Sequence, residues 1–131
     1  LVQEMLRGGT EAILGITNDP LFGPAVMFGL GGIFAEIMKD VSFRLAPVTL
    51  SMAREMIAEI KGYPLLAGAR GRAHADIDAL ADAIMKLSAL AVDLQDHVAE
   101  LDINPLFVME RGKGVKAADA LIRPKVKNKM P

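Results

Sequence analysis

Asp102 and Asn104 stand two residues apart in Glu100-Leu101-Asp102-Ile103-Asn104-Pro105, and a lone acid, Asp119, sits inside the run spanning residues 115–122. Side chains alternate along a strand, so Asp102 and Asn104 share one face while Leu101 and Ile103 take the other. Between the two runs lies Glu110-Arg111-Gly112-Lys113-Gly114, a turn composition, and the whole reads as a β-hairpin. The midpoint of Asn104 and Asp119 falls between Arg111 and Gly112. An antiparallel fold-back therefore brings Asp119 opposite Asn104. Two carboxylates and an amide oxygen would converge on one sheet face, a small set of hard oxygen ligands. Such a set suits Mg²⁺ with its remaining positions filled by water and phosphate oxygens. The alternative is a solvated sheet face, the ordinary fate of polar residues on a strand pair. Two residues favour the metal: Asp119 interrupts an apolar run, where a carboxylate needs a partner, and Pro105 biases Asn104 toward extended backbone.

The elements that must position this hairpin are legible upstream. Residues 11–17 read as a strand, Asn18-Asp19-Pro20 with Gly23-Pro24 as a turn, and residues 25–28 as the returning strand. Gly29-Leu30-Gly31-Gly32 is expected to break that strand. Residues 33–38 fit a short helix or a strand, and residues 41–45 are strand-like. Two helices are clearer. Over residues 50–61, Ala53, Met56, Ile57 and Ile60 form an amphipathic stripe, with Thr49 as N-cap and Gly62 and Pro64 as the stop. Over residues 77–97 the stripe is Ile77, Leu80, Ile84, Leu87, Ala91 and Leu94, with Asp76 as N-cap. Residues 68–72 form a loop between them. The order hairpin, strand, helix, helix, hairpin predicts an α+β fold with a mainly antiparallel sheet flanked by helices.

At 131 residues the chain is one domain by size. Its formal net charge of −1, with both signs mixed, argues against a nucleic-acid surface driven by bulk charge. The exception is Arg123-Pro124-Lys125-Val126-Lys127-Asn128-Lys129, read as a solvated basic end. With no cysteine there is no disulfide, thiolate metal site or Cys nucleophile, and a reducing cytoplasm fits. No apolar run approaches the roughly 18 residues of a membrane span. No secretory signal opens the chain. The first residue is Leu1, which suggests a piece of a longer polypeptide.

Other groups that could do chemistry have plainer readings. Gly29-Leu30-Gly31-Gly32 could approach phosphate but lacks the Gly-Lys-Ser/Thr of a P-loop, and a tight turn explains it equally. Arg70 and Arg72 fit a solvated loop better than an anion site. His74 lies in a polar loop, and His97 near a helix C-terminus, where an imidazolium is favourable in any case. Neither has a partner in sequence, so no residue is assigned to acid, base or nucleophilic catalysis, and the roles of both are left open.

The motifs together resemble a known family. Gly15-Ile16-Thr17-Asn18-Asp19-Pro20-Leu21-Phe22-Gly23-Pro24, Phe28-Gly29-Leu30-Gly31-Gly32, Lys39-Asp40-Val41-Ser42-Phe43-Arg44-Leu45, Gly62-Tyr63-Pro64-Leu65-Leu66 and residues 100–106 resemble, in the same order, the ATP-grasp domain of NDP-forming acyl-CoA synthetases, relatives of the succinyl-CoA synthetase β subunit. The resemblance extends to about Arg123. It implies the larger, C-terminal lobe of an ATP-grasp fold over residues 1–123, with a basic tail over 124–131. It implies a ligase that makes acyl-CoA from a carboxylic acid, CoA and ATP, releasing ADP and phosphate through an acyl phosphate and a phosphohistidine carried by another domain. Position by position, Asn104 and Asp119 match the family's Mg²⁺ ligands, and Asp102 the acid two residues earlier. Gln3, Glu4, Met5 and Leu6 lie in the hinge strand whose backbone meets adenine, with Gln3 where succinyl-CoA synthetases carry an acid. Glu11 falls at the ribose-side acid.

The small lobe with its phosphate-contacting lysine is missing, as are the CoA-binding and CoA-ligase domains. The fragment alone is thus expected to be without turnover, since phosphoryl transfer needs charges positioned by both lobes. A rival from another class is a regulatory or structural ATP-grasp module of a protein acetyltransferase. The complete Asp102, Asn104 and Asp119 set favours the ligase. The acid substrate is not legible, nor is oligomeric state, although apolar surface left by the missing lobe would favour self-association as a homo-oligomer.

Overall fold

The computed structural model describes residues 9–31 and 38–126. Strand β1 (Thr10–Asp19) turns into β2 (Gly23–Leu30), and β3 (Val41–Leu45) follows. Helix α1 (Leu50–Glu59), the single turn α2 (Tyr63–Leu66) and a 3₁₀ turn (Ala69–Gly71) lead to the long helix α3 (Ile77–Asp93). The chain then returns to the sheet as β4 (Val98–Val108), β5 (Val115–Ala117) and β6 (Ala120–Pro124). The sheet is antiparallel at every pairing, in the order β3-β2-β1-β4-β5, with β6 continuing beside β4. The expected α+β architecture is what the molecule has.

Alternation divides the sheet into two faces. Ala12, Leu14 and Ile16 of β1, Val26, Phe28 and Leu30 of β2, and Leu101, Leu106 and Val108 of β4 join one buried cluster. From the helices, Ala53, Met56 and Ile57 of α1 and Leu80, Ala81, Ile84, Leu87 and Ala91 of α3 close it. Both expected stripes therefore face the sheet. Both expected N-caps form: Thr49 Oγ1 accepts the Met52 N–H at 3.1 Å, and Asp76 Oδ1 the Ala79 N–H at 3.1 Å. The polar groups inside are paired. Ser42 donates to the Met56 carbonyl, and the Ser88 hydroxyl accepts from Val48 N–H while serving the Met85 carbonyl. The opposite face carries the residues between these, among them Glu11, Gly15 and Thr17 of β1 and their partners Phe107, Asp102 and Glu100 of β4.

Several expected boundaries move. Helix α1 stops at Glu59 and α3 at Asp93, short of Lys61 and His97. Gly29 and Leu30 do not break β2; they are its last two residues, paired with Ile13 and Ala12. A Cβ on Gly29 would meet Val41 at 2.8 Å, so the glycine permits close strand approach there. Pro64, read as a stop, sits in the first turn of α2, where its missing N–H has no partner to lose. Arg123 and Pro124, assigned to the solvated end, close β6, and Arg123 pairs with Glu100 at 3.3 Å. Residues 1–8, 32–37 and 127–131, which include the expected hinge, most of the ambiguous segment and the rest of the tail, lie outside the described residues.

Candidate functional site

The hairpin that carries the candidate metal ligands keeps one register from its turn as far as Glu100 and Arg123, and shifts only beyond them, at Val98. Val108 pairs with Val115, Phe107 with Lys116, Leu106 with Ala117, Ile103 with Ala120 and Asp102 with Leu121. Asn104 and Asp119 fall opposite each other within that ladder. The Asn104 N–H donates to the Asp119 carbonyl at 3.1 Å, and the Ala118 N–H to the Pro105 carbonyl at 3.0 Å. At the turn the Lys113 N–H reaches the Glu110 carbonyl at 2.9 Å, with Gly112 at φ 86°, a value suited to the third position of a type II turn. Pro105 has no N–H to give β1, and it is here that the β1–β4 register shifts by one residue. Asn104 is released from β1 and turned to Asp119.

Asp102 is placed by β1. It lies opposite Gly15, and its Oδ1 would sit 3.2 Å from a Cβ built on that glycine. Only hydrogen at position 15 leaves that carboxylate its present room. Asp119 Oδ1 accepts the N–H of the next residue, Ala120, at 2.8 Å. All three residues are exposed. Among the described residues no three of His, Cys, Asp and Glu gather into a metal cluster. The candidate set is two acids and one amide, so a hard cation held there would complete its shell with water and phosphate oxygens. That donor chemistry fits Mg²⁺, which gives up water reluctantly and tolerates few protein ligands.

Glu11 lies on the same face, opposite Phe107, but four residues along β1 from Gly15, roughly 13 Å at strand rise. The structure therefore does not gather it with Asp102, Asn104 and Asp119; it puts it at the other end of β1. Glu11's carbonyl accepts the Gly31 N–H at 2.8 Å, and a Cβ on Gly31 would touch the Glu11 side chain at 3.1 Å. The second glycine of the Gly29–Gly31 pair thus fits the backbone against β1. His74 and His97 are exposed and serve through their backbone carbonyls, which accept the N–H groups of Arg111 and Lys125, both at 2.8 Å.

Two acids carry more structure than local sequence signals predicted. Asp40 is buried, and its two oxygens accept the N–H groups of Lys61 and Gly62, each at 2.7 Å, where α1 ends. Asp76, beyond capping α3, uses Oδ2 to accept the N–H groups of Gly112 at 3.1 Å and Gly114 at 2.8 Å. These bonds, led by the one from Gly114, hold the Asp76 carboxyl below its usual range. Because the partners lie 21 to 38 residues away, only the acid's position before a helix or strand could have hinted at either role. A cavity of about 410 Å³ opens at the other end of β1, lined in part by Thr10, Arg72, Ala75, Val108 and Met109. It does not include the candidate ligands. Among the described residues, no helix is long and apolar enough to cross a membrane.

The fold is thus an antiparallel sheet backed by helices on one face, with Asp102, Asn104 and Asp119 exposed. The chain belongs to the ATP-grasp domain family, whose model matches residues 1–123. It is 55% identical over 122 residues to the subunit beta of ADP-forming acetate–CoA ligase II from Pyrococcus furiosus, covering 93% of this chain and 52% of that protein. It is 48% identical over 122 residues to the ADP-forming 4-hydroxybutyrate–CoA ligase of Nitrosopumilus maritimus, covering 93% of this chain and 17% of that protein. Among solved structures it resembles acetyl-coenzyme A synthetase 1 of Ca. Korarchaeum cryptofilum in complex with coenzyme A and Mg-AMPPCP, with a TM-score of 0.87 and 44% identity over 94% of this chain and 56% of that one. The chain thus spans about half the length of the beta subunit it matches, and far less of the single-chain ligase.

Proposed function

We propose that this chain is the nucleotide- and Mg²⁺-binding part of an ADP-forming acid–CoA ligase, which makes acyl-CoA from a carboxylate, CoA and ATP. The observation that carries the reading is the pairing of Asn104 with Asp119 in a register that holds on both sides of them, with Asp102 on the same face. These three residues would hold Mg²⁺. Bound there, the ion would neutralise charge on the nucleotide phosphates. Glu11, down the same face, would meet the ribose, and Gln3, Glu4, Met5 and Leu6 would seat the adenine. Asp102, Asn104 and Asp119 need no proton transfer for this role, because phosphoryl transfer asks the protein chiefly for positioning and charge.

The remaining machinery would come from elsewhere. A smaller ATP-grasp lobe would close over the phosphates, and CoA-binding and CoA-ligase domains would supply the acyl chemistry and the phosphohistidine. Residues 1–123 would form the lobe itself, and residues 124–131 a basic tail. A cysteine-free sequence suits reducing conditions, and we place the protein in the cytoplasm.

The test is Mn²⁺·ADP binding to the complete polypeptide that carries this chain, compared between wild type and Asn104→Ala. Losing a direct ligand should weaken binding by at least about tenfold, the lower end of the effect of outer-shell changes at metal sites. Equal affinity in the two proteins would sink the assignment of Asn104.

A further inference from the structure

The strands that carry Asn104 and Asp119 have an unusual weakness. Every residue of β6 is exposed, and Leu121 and Ile122, on opposite faces, are 66% and 56% accessible. Register is strongly specified where one face is buried, because a one-residue slip then costs the whole apolar set. On β6 it would cost little. Yet a slip of one residue would set Ala118 or Ala120 against Asn104, and neither can bind a cation.

Burial contributes at β5, where Val115 packs against the core opposite Val108, but not along β6, and a further constraint lies at the turn. The segment before α3 lies along it: Ala75 bridges Glu110, the Asp76 N–H donates to the Met109 carbonyl at 2.8 Å, and the Arg111 N–H to the His74 carbonyl at 2.8 Å. Asp76 then reaches over the turn, with one oxygen accepting the N–H groups of both Gly112 and Gly114 while the other caps α3. The cap belongs to a helix packed in the core, so the turn is tied to the core.

We propose that Asp76 is a positioning residue for the metal site: by clamping the Gly112 and Gly114 amides to the start of α3, it fixes the register that brings Asp119 opposite Asn104. The proposal deepens the metal reading of Asn104 and Asp119 and, for its binding readout, rests on it.

The test uses Asp76→Ser and Asp76→Asn in the complete polypeptide. Both keep an oxygen for the helix cap. Neither can cap the helix and accept at the turn with a second oxygen. Amide hydrogen exchange at Gly112, Gly114 and Asn104 should rise by about tenfold or more, the scale of losing charge-assisted bonds. Affinity for Mn²⁺·ADP should fall by roughly three- to tenfold, short of the about 10–100-fold cost of removing a group bonded to the ligand itself. A disulfide made from Glu100→Cys and Arg123→Cys, paired neighbours in this cysteine-free chain, should restore that affinity by locking the register from its far end. Unchanged exchange at the three amides overturns the proposal, as does faster exchange with unchanged affinity, or an affinity loss that the disulfide does not repair. A wild type that fails to bind Mn²⁺·ADP would instead overturn the metal reading, and the exchange data would still decide whether Asp76 holds the register.

Discussion

Strands β2 and β6 belong to one sheet, yet β2 buries Val26, Phe28 and Leu30 almost completely while β6 buries nothing. On the β2 side, position follows from burial: the strand packs against α1 and α3, and a shift would expose its inward side chains. On the β6 side, position follows from hydrogen bonds at a turn and from a ladder open to solvent. Structure that rests on burial suits a scaffold, whereas exposed side chains are what a ligand can reach. The molecule keeps the two apart within one sheet, with β1 and β4 as the boundary.

The contrast is sharpest in the core. Ile84→Ala should destabilise by about 2–5 kcal/mol through lost burial and a cavity, whereas Ile122→Ala should stay within about 0.5 kcal/mol. Denaturant unfolding of the two variants measures this directly, and comparable losses would erase the distinction. Next comes Asp40, polar but on the buried side. Replacing it with Ala strands the Lys61 and Gly62 N–H groups, at a cost of about 2–3 kcal/mol by the same measurement. A neutral outcome would mean that water reaches those amides.

Asp76 should show a smaller effect with a characteristic pH dependence. Its folded pKa is depressed, chiefly by the Gly114 N–H, then by Ala79 and Gly112 with a lesser contribution from Arg111. A depressed carboxyl stabilises the fold above its unfolded pKa, near the ordinary aspartate value of 3.8, and that stability is lost as pH falls through the lower folded value. The stability gap between wild type and Asp76→Asn should therefore be full at neutral pH and close below about pH 4. A gap constant down to pH 2 would show that the charge is not what matters. Smallest of all is the surface pair of half-buried Arg44 and exposed Glu59, whose mutual bond raises the arginine pKa and lowers that of the glutamate. Its double-mutant coupling should be about 0.5 kcal/mol, and 1 M salt should remove most of it.

What could be read in the sequence was whatever depends on near neighbours or on a regular period. The stripes of α1 and α3 gave their buried faces, Thr49 and Asp76 their caps, and the centre of the Glu110–Gly114 turn the pairing of Asn104 with Asp119. Long-range dependence was not legible. That Gly15 makes room for Asp102, or that one oxygen of Asp76 holds two amides 36 and 38 residues on, depends on contacts the local pattern does not encode. Pro64 misled for a related reason. Its local meaning, stop or first turn, depends on whether a helix follows, and α2 is too short to announce itself by periodicity. Glu11, expected at the ribose side by resemblance alone, lies on the sheet face of Asp102 but four residues along β1 from the strand position that faces it.

The central strand has a further consequence for how this chain emerges from the ribosome. β1 finds one neighbour, β2, at once, but its other neighbour, β4, is synthesised on the order of ninety residues later, a wait of roughly 5–20 s at ordinary elongation rates. During that interval the β1 edge, rich in Ile and Leu, has no partner, a condition that invites chaperone capture or pairing between neighbouring chains. Arrested nascent chains that expose residues only to Asp93 should be readily cut by protease along β1, while chains exposed past Pro124 should resist.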